Sequence, residues 1–508
     1  MIGKLMKNLK EIKIITENET ITDNAQSYVE IRQNKIFLSY DASPVCRVRI
    51  SWENTYFDDG KLLGDSWERA YGDMEWKTVD ASGKMPWYFV ANTGEVTYGF
   101  GVKTNPNAFC YWECSREEIA LTMLVNSGSK GVELKGRKLE VCQVVSAEYT
   151  GDIYQAMHEF CKLMCDNPRM PKRQIFGGND WYCNYGNNSH DKILNHTKRI
   201  VECAKKCDCA PYMVIDDGWE ICHHQSENDD EYYNGGPWEY HNRNFFGMQK
   251  MAEDIKEAGA IPGIWFRPLW TVEKFPEDMI LKFKGIKYVL DPSTPGVLEQ
   301  IKSDITTFKN WGYKLIKFDF SSFDIFGKWG FEMEDAVADC TFHDNSKTTA
   351  EIVKAMYSAM RDAAGDDVLL MGCNVFGHLA TGYIDIQRTG DDTSGMDWER
   401  TKKYGVNTLA FRMCQHKAFY FVDADCVGIT NDISWDKNSQ WLDVLAKSGT
   451  PLFVSIAEDI DFDKIKNDIE SAFIKASENG ETSKPVDWME NKVSERWESA
   501  YGTDEYNW

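Results

Sequence analysis

The sequence predicts an α/β protein built as a (β/α)8 TIM barrel preceded by an N-terminal antiparallel β-sandwich. Three observations carry that prediction. Short alternating stretches fill residues 1–148, eight apolar runs separated by amphipathic helices follow from residue 174, and polar side chains gather at the ends of those runs.

The N-terminal stretches include Val29-Glu-Ile-Arg32, Lys35-Ile-Phe-Leu-Ser-Tyr40, Val48-Arg-Ile-Ser-Trp52 and Ala120-Leu-Thr-Met-Leu-Val125. Their period of two, with Gly and Asn at the turns between them, is that of half-buried antiparallel strands. A helix is expected over Gly151 to Cys165, because Ile153, Met157, Phe160, Leu163 and Met164 recur at near-helical spacing. Asn167-Pro-Arg-Met-Pro-Lys-Arg173 then reads as a linker, since two prolines bracket charged residues. Residues 149–173 thus join the sandwich to a barrel over 174–460, and 461–508 form a C-terminal helix and short tail.

The eight runs are Ile175 to Tyr182, Tyr212 to Trp219, Ile261 to Leu269, Tyr288 to Pro292, Lys314 to Phe320, Val368 to Asn374, Ile384 to Asp392 and Ala418 to Val427. Helices are expected over Asp191 to Lys206, Met248 to Ala258, Pro295 to Trp311, Thr348 to Ala364 and Trp398 to His416. Short apolar runs without alternation are the mark of strands buried on both faces, as in a parallel sheet. After the eighth run, Ser439 to Ser448 and Phe462 to Ala476 read as helices.

Composition excludes several classes. A formal net charge of -23 repels phosphates and anionic lipid head groups, so neither nucleic acid nor a membrane is an expected partner. The first residues, Met1-Ile-Gly-Lys-Leu-Met-Lys-Asn8, lack the apolar core of a secretory signal. The 15 cysteines follow no disulfide framework, which fits reduced thiols and a cytoplasmic location. Cys203, Cys207, Cys209, Cys222, His223 and His224 are zinc-type ligands, but their spacing matches no common finger or ribbon and favours packed thiols.

The chemistry concentrates at the run ends. Lys317 and Asp319 lie two apart, so on a strand both face the barrel interior, where the ammonium would keep Asp319 ionised as a nucleophile; the bland alternative is a structural ion pair. Arg388-Thr-Gly-Asp391-Asp392 supplies a second carboxylate and an arginine able to hold a sugar hydroxyl. Adjacent residues of a strand face opposite ways, so one of Asp391 and Asp392 is expected in the pocket. Asp216-Asp217-Gly-Trp219 and Trp181 offer hydroxyl acceptors and aromatic faces suited to a pyranose.

At these residues the chain resembles the α-galactosidases of glycoside hydrolase family 36, and more distantly their family 27 relatives and the plant raffinose synthases. The resemblance runs through Ile215-Asp-Asp-Gly-Trp219, Gly263-Ile-Trp265-Phe-Arg267, Leu290-Asp-Pro-Ser293, Lys317-Phe-Asp319, Arg388 to Asp392, Val422-Asp-Ala-Asp425 and Ser448-Gly-Thr-Pro-Leu-Phe-Val-Ser455. It implies a retaining α-glycoside hydrolase, foremost an α-galactosidase, working by double displacement through a covalent glycosyl-aspartate. Alternatives on the same fold are an α-N-acetylgalactosaminidase, an α-galactosyl transglycosidase and a carbohydrate-binding protein without catalysis. The resemblance makes Asp319 the nucleophile and Asp392, four after Arg388, the acid/base, with Asp391 as fallback. It makes Trp181, Asp216, Asp217, Lys317 and Arg388 substrate-binding residues, and Trp265, Arg267, Cys373 and Asn374 are expected to bind substrate beside them. It implies no metal and no organic cofactor, and a small α-galactoside or oligosaccharide as partner, with homo-oligomerisation left open. Two segments depart from the family pattern and are expected to line the pocket: Gly372-Cys-Asn-Val-Phe-Gly377 and Phe320 to Trp329. The family's C-terminal β-sandwich is expected to be absent or reduced.

Overall fold

A computed structural model describes residues 1–223, 233–283, 288–478 and 480–508. The first 150 residues form two antiparallel sheets. One has six strands in the order Thr20–Ile21, Leu9–Thr16, Val45–Glu53, Glu118–Leu124, Phe109–Cys114 and Met85–Pro86. The other has seven, with Leu139–Thr150 and Val96–Val102 at its centre. Trp112 of the first sheet meets Phe89 and Phe100 of the second at ring distances of 6.0 and 6.3 Å, so aromatic side chains fill the space between them.

The linker helix, α1 (Ile153–Met164), leads to a nine-stranded parallel sheet. Its strands are β1 (Phe176–Asn179), β2 (Tyr212–Ile215), β3 (Ile261–Phe266), β4 (Leu315–Phe318), β5 (Leu369–Gly372), β6 (Ile386–Arg388), β7 (Phe421–Asp423), β8 (Cys426–Ile429) and β9 (Leu452–Ile456). The order across the sheet is β7-β6-β5-β4-β3-β2-β1-β9-β8, and every neighbouring pair is parallel. The two edge strands are pieces of one chain passage, interrupted at Ala424-Asp425, where Asp425 takes a φ of 75°.

The helices between the strands are α2 (His190–Cys203), α3 (Met248–Ala258), α4 (Pro295–Trp311), α5 (Thr349–Ala364), α6 (Trp435–Ser448) and α7 (Phe462–Glu478). In α4 the buried Val297, Ile301, Ile305 and Phe308 form one stripe, Pro295 opens the first turn and Gly312 ends the helix. At α5 the Thr348 hydroxyl accepts from the Glu351 N–H while the Glu351 carboxylate accepts from the Thr348 N–H, a reciprocal cap. Ile175, Tyr212, Leu315, Ile386, Phe421 and Phe453 pack together near the strand starts. Apolar side chains thus fill one end of the sheet's interior and leave the other to polar groups.

Three expectations need correction. Tyr288 to Pro292 is not a strand of the sheet: Val289 and Leu290 only bridge Trp270 and Ile280 in the connection after β3. The place is taken by Leu452–Ile456, so Lys317 lies on the fourth strand and Arg388 on the sixth, not on the fifth and seventh. Trp398 to His416 is not one regular helix; its middle, Thr401–Asn407, winds in wide π-type turns that bring Gly405 against Trp441. The tail after α7 forms a small antiparallel sheet of Lys484–Pro485, Arg496–Ser499 and Gly502–Glu505. No helix among the described residues is long and apolar enough to cross a membrane.

Candidate active site

A cavity of about 450 Å³ opens where β1 to β4 and β6 end, lined by Trp181, Asp216, Asp217, Trp265, Lys317, Asp319, Asp391 and Asp392. It also takes Arg69 and Tyr71 from the N-terminal sheets' connections, and Tyr185, Phe320, Trp329 and Phe331.

The floor is a buried charge network. Lys317 Nζ lies 2.6 Å from Asp216 Oδ2, which also accepts from Asn179 Nδ2 at 2.5 Å. The lysine's direct partner is therefore Asp216 rather than Asp319. Burial works against the Lys317 ammonium, but Asp216 in contact and Asp319 nearby hold it charged well above its ordinary value. Burial likewise raises the Asp216 carboxyl, against the pull of Lys317. Asp319 accepts from the Phe320 N–H at 2.8 Å through Oδ1, while Trp265 Nε1–H points at Oδ2 from 3.4 Å. Phe320 itself holds a φ of 59°, a strained conformation for a bulky residue, directly after that carboxylate.

Opposite charges crowd the end of β6. Arg69 Nη2 lies 2.7 Å from Asp391, and Arg69 Nη1 and Arg388 Nη2 lie 3.5 and 3.3 Å from Asp392 Oδ1. Both aspartates line the cavity, contrary to the expectation that only one would, because the chain has left strand geometry after Arg388. Burial pushes the Asp392 carboxyl up, but Arg69, Arg388, Lys317 and Arg400 outweigh it and hold the group below the usual carboxylate value.

Four residues expected at the pocket do not line it. Arg267 is buried, with Nε 3.0 Å from Asp324, Nη1 2.6 Å from Asn234, and its guanidinium between the rings of Trp270 and Phe320 at 4.3 Å each. It supports the cavity from behind, because Asn234 in turn donates to Asp217 at 2.9 Å. Arg388 is 1 % exposed and committed to Asp425 at 2.6 Å. Cys373 and Asn374 are fully buried; Asn374 donates to the Glu68 carboxylate at 2.7 Å, so that segment backs the wall rather than forming it. Phe320 and Trp329 do line the cavity, as their segment was expected to. Arg69, Tyr71, Tyr185 and Phe331 also line the cavity, although no strand-end pattern marks them in the sequence.

All 15 cysteines are free thiols. Cys203, Cys207, Cys209, Cys222 and His223 form no common ligand cluster among the described residues, and His224 lies outside them. The set that does converge is Asp217, Glu220 and His223, with ligand atoms within 4.8 Å. His223 Nδ1 stands 3.1 and 3.0 Å from the two carboxylates, which overcome its burial and raise it to about 10. The imidazole and the two carboxylates are thus one another's partners.

No family model matches the sequence. Solved structures do match over most of the chain. The α-galactosidase of Thermus thermophilus, in complex with p-nitrophenyl α-D-galactopyranoside, superimposes with a TM-score of 0.60 at 15 % identity, covering 98 % of each chain. The fold resembles that of the glycoside hydrolase family 36 α-galactosidases. Among these, AgaA from Geobacillus stearothermophilus, bound to 1-deoxygalactonojirimycin, gives a TM-score of 0.58 at 15 % identity over 92 % of this chain and 70 % of its own. The galactosidase domain of the α-galactosidase–sucrose kinase AgaSK gives 0.57 at 13 % identity, over 97 % and 75 %. Identities this low establish a shared fold, and what this chain does must be argued from its own cavity.

Proposed function

We propose that this chain is a retaining α-glycoside hydrolase acting on an α-galactoside. One observation carries the reading: Asp319 and Asp392, from the ends of two different parallel strands, face one sugar-sized cavity whose floor is the Asp216–Lys317 pair. Passage of one chain segment through both sheet edges supports reading the parallel sheet as a closed (β/α)8 barrel, whose active sites gather at the strand C-termini. The paired antiparallel sheets support an N-terminal β-sandwich over 1–148, with the barrel over 174–460 and a short C-terminal unit over 461–508.

In the proposed reaction an Asp319 oxygen attacks the anomeric carbon as the glycosidic bond breaks, and the Asp392 carboxyl passes its proton to the departing oxygen. Asp392, now a carboxylate, then takes a proton from water as that water's oxygen displaces Asp319, returning both groups to their starting states and retaining the anomeric configuration. Asp216, Asp217 and Lys317 would hold hydroxyls of the bound sugar, and Trp181 and Trp265 its apolar face. The galactosyl preference is taken from the ligands bound to the structural neighbours.

The test is a screen of aryl α-galactoside, α-N-acetylgalactosaminide and α-glucoside substrates, with Asp319→Ala beside the native protein. The α-galactoside should be turned over fastest, the variant should be inactive, and azide should restore turnover as the opposite-anomer product. Undiminished turnover by Asp319→Ala would remove the assignment.

A further inference from the structure

The cavity's walls differ in kind. Its floor is charged and buried, while one side of its mouth is aromatic: Tyr71, Trp329 and Phe331. Phe331 is 63 % exposed, and its ring meets Tyr71 at 5.0 Å, edge to face. Phe331 thus lines the cavity while leaving most of its ring open to a bound molecule.

The two halves of this wall come from distant parts of the sequence and are tied to one buried carboxylate. Glu68, 2 % exposed, accepts from the Tyr71 hydroxyl, from the Ser322 hydroxyl, from Asn374 Nδ2 at 2.7 Å and from the Gly330 N–H at 2.8 Å. Gly330 is needed for that approach, since a Cβ there would stand 2.6 Å from Glu68 Cγ. Phe331 is thereby held next to an anchored backbone amide, and Tyr71 by its own hydroxyl. A rigid aromatic surface costs little entropy when a ring settles on it.

Resting on the reading of Asp319 and Asp392 above, we infer that Tyr71 and Phe331 form the platform for the leaving group, and that the natural leaving group carries a flat ring with an apolar face. An aryl ring and the face of a second pyranose share that chemistry.

The experiment compares the native protein with Phe331→Ala and Phe331→Trp on three substrates: p-nitrophenyl α-galactoside, a galactosyl disaccharide, and α-galactosyl fluoride, whose leaving group has no ring. Loss of one ring contact should lower kcat/KM by roughly 3- to 10-fold. That loss is expected for Phe331→Ala on at least one ring-bearing substrate, with the fluoride unchanged and Phe331→Trp restoring the rate. Which ring-bearing substrate suffers identifies the ring. Equal changes on all three substrates, or none on any, overturn the platform; so does a changed oligomeric state of Phe331→Ala with uniform losses, which would make Phe331 a subunit contact. If the native protein cleaves none of the three, the hydrolase reading fails first, and the platform with it.

Discussion

Asp392 sits beside Arg69 and Arg388, and these cations oppose what an acid catalyst needs. A carboxyl held below its ordinary value is mostly ionised at neutral pH, whereas a proton donor works best with its value near the operating pH. Two outcomes follow. Asp392→Ala should lower kcat/KM by about 10²- to 10⁴-fold on an oligosaccharide and far less on an activated aryl galactoside; if Asp391→Ala shows that contrast instead, the two roles exchange. Removing a cation makes the carboxyl harder to ionise, so in Arg69→Gln the basic limb of the kcat/KM profile should move to higher pH. An unmoved limb would deny Arg69 any hold on the Asp392 carboxyl. At this scale charge at the end of an apolar run marks Asp216, Lys317, Asp319 and Asp392, which line the cavity, but it marks Arg267 and Arg388 equally, and these are buried behind it against Asp324 and Asp425. Arg69, Tyr71 and Glu68 were not, because their stretch has no pattern that reveals a partner more than 300 residues away at Asp391.

Strands were harder to read than helices, and the reason is length. Met248–Ala258 and Pro295–Trp311 match their expected spans because a helical stripe repeats over several turns. A run of four or five apolar residues carries no such repeat, so Tyr288 to Pro292 could pass for a strand while Leu452–Ile456 is not counted among the eight runs. Phe176-Gly-Gly-Asn179 shows what sets a short strand's identity instead. Gly177 takes a φ of 150°, and a Cβ there would run into the backbone carbonyl of Tyr212 on β2. At Gly178 a Cβ would meet the Ile200 side chain at 2.8 Å, which can give way. Gly177→Ala should therefore cost about 2–5 kcal/mol and Gly178→Ala about 1–3 kcal/mol. Denaturant midpoints of the two variants check the order, and a harmless Gly177→Ala would show that β1 and β2 do not pair so closely.

The antiparallel and parallel parts of the molecule meet through buried polar groups as well as apolar ones. Arg412 lies 2.8 Å from Asp65, and His378 stacks on Trp87 at 5.0 Å while donating from Nε2 to the Val102 carbonyl at 3.0 Å. None of these contacts was visible in the sequence, since each joins segments with no shared periodicity. His378 couples this junction to pH. Burial lowers it from 6.5 to about 4, only partly offset by the Val102 carbonyl and Asp65. The unfolded chain therefore binds a proton there that the folded one refuses. The stability this histidine contributes is complete above about pH 6.5 and is lost as pH falls toward its folded value. At pH 5 the loss should be about 2 kcal/mol. In His378→Gln the amide can still donate toward Val102 but has nothing to protonate. The variant should be less stable than the native protein at pH 8, and the gap should narrow by about 2 kcal/mol at pH 5. Denaturant titrations of both proteins at the two pH values measure that gap. A gap of constant size would mean that acid opens this junction without charging His378.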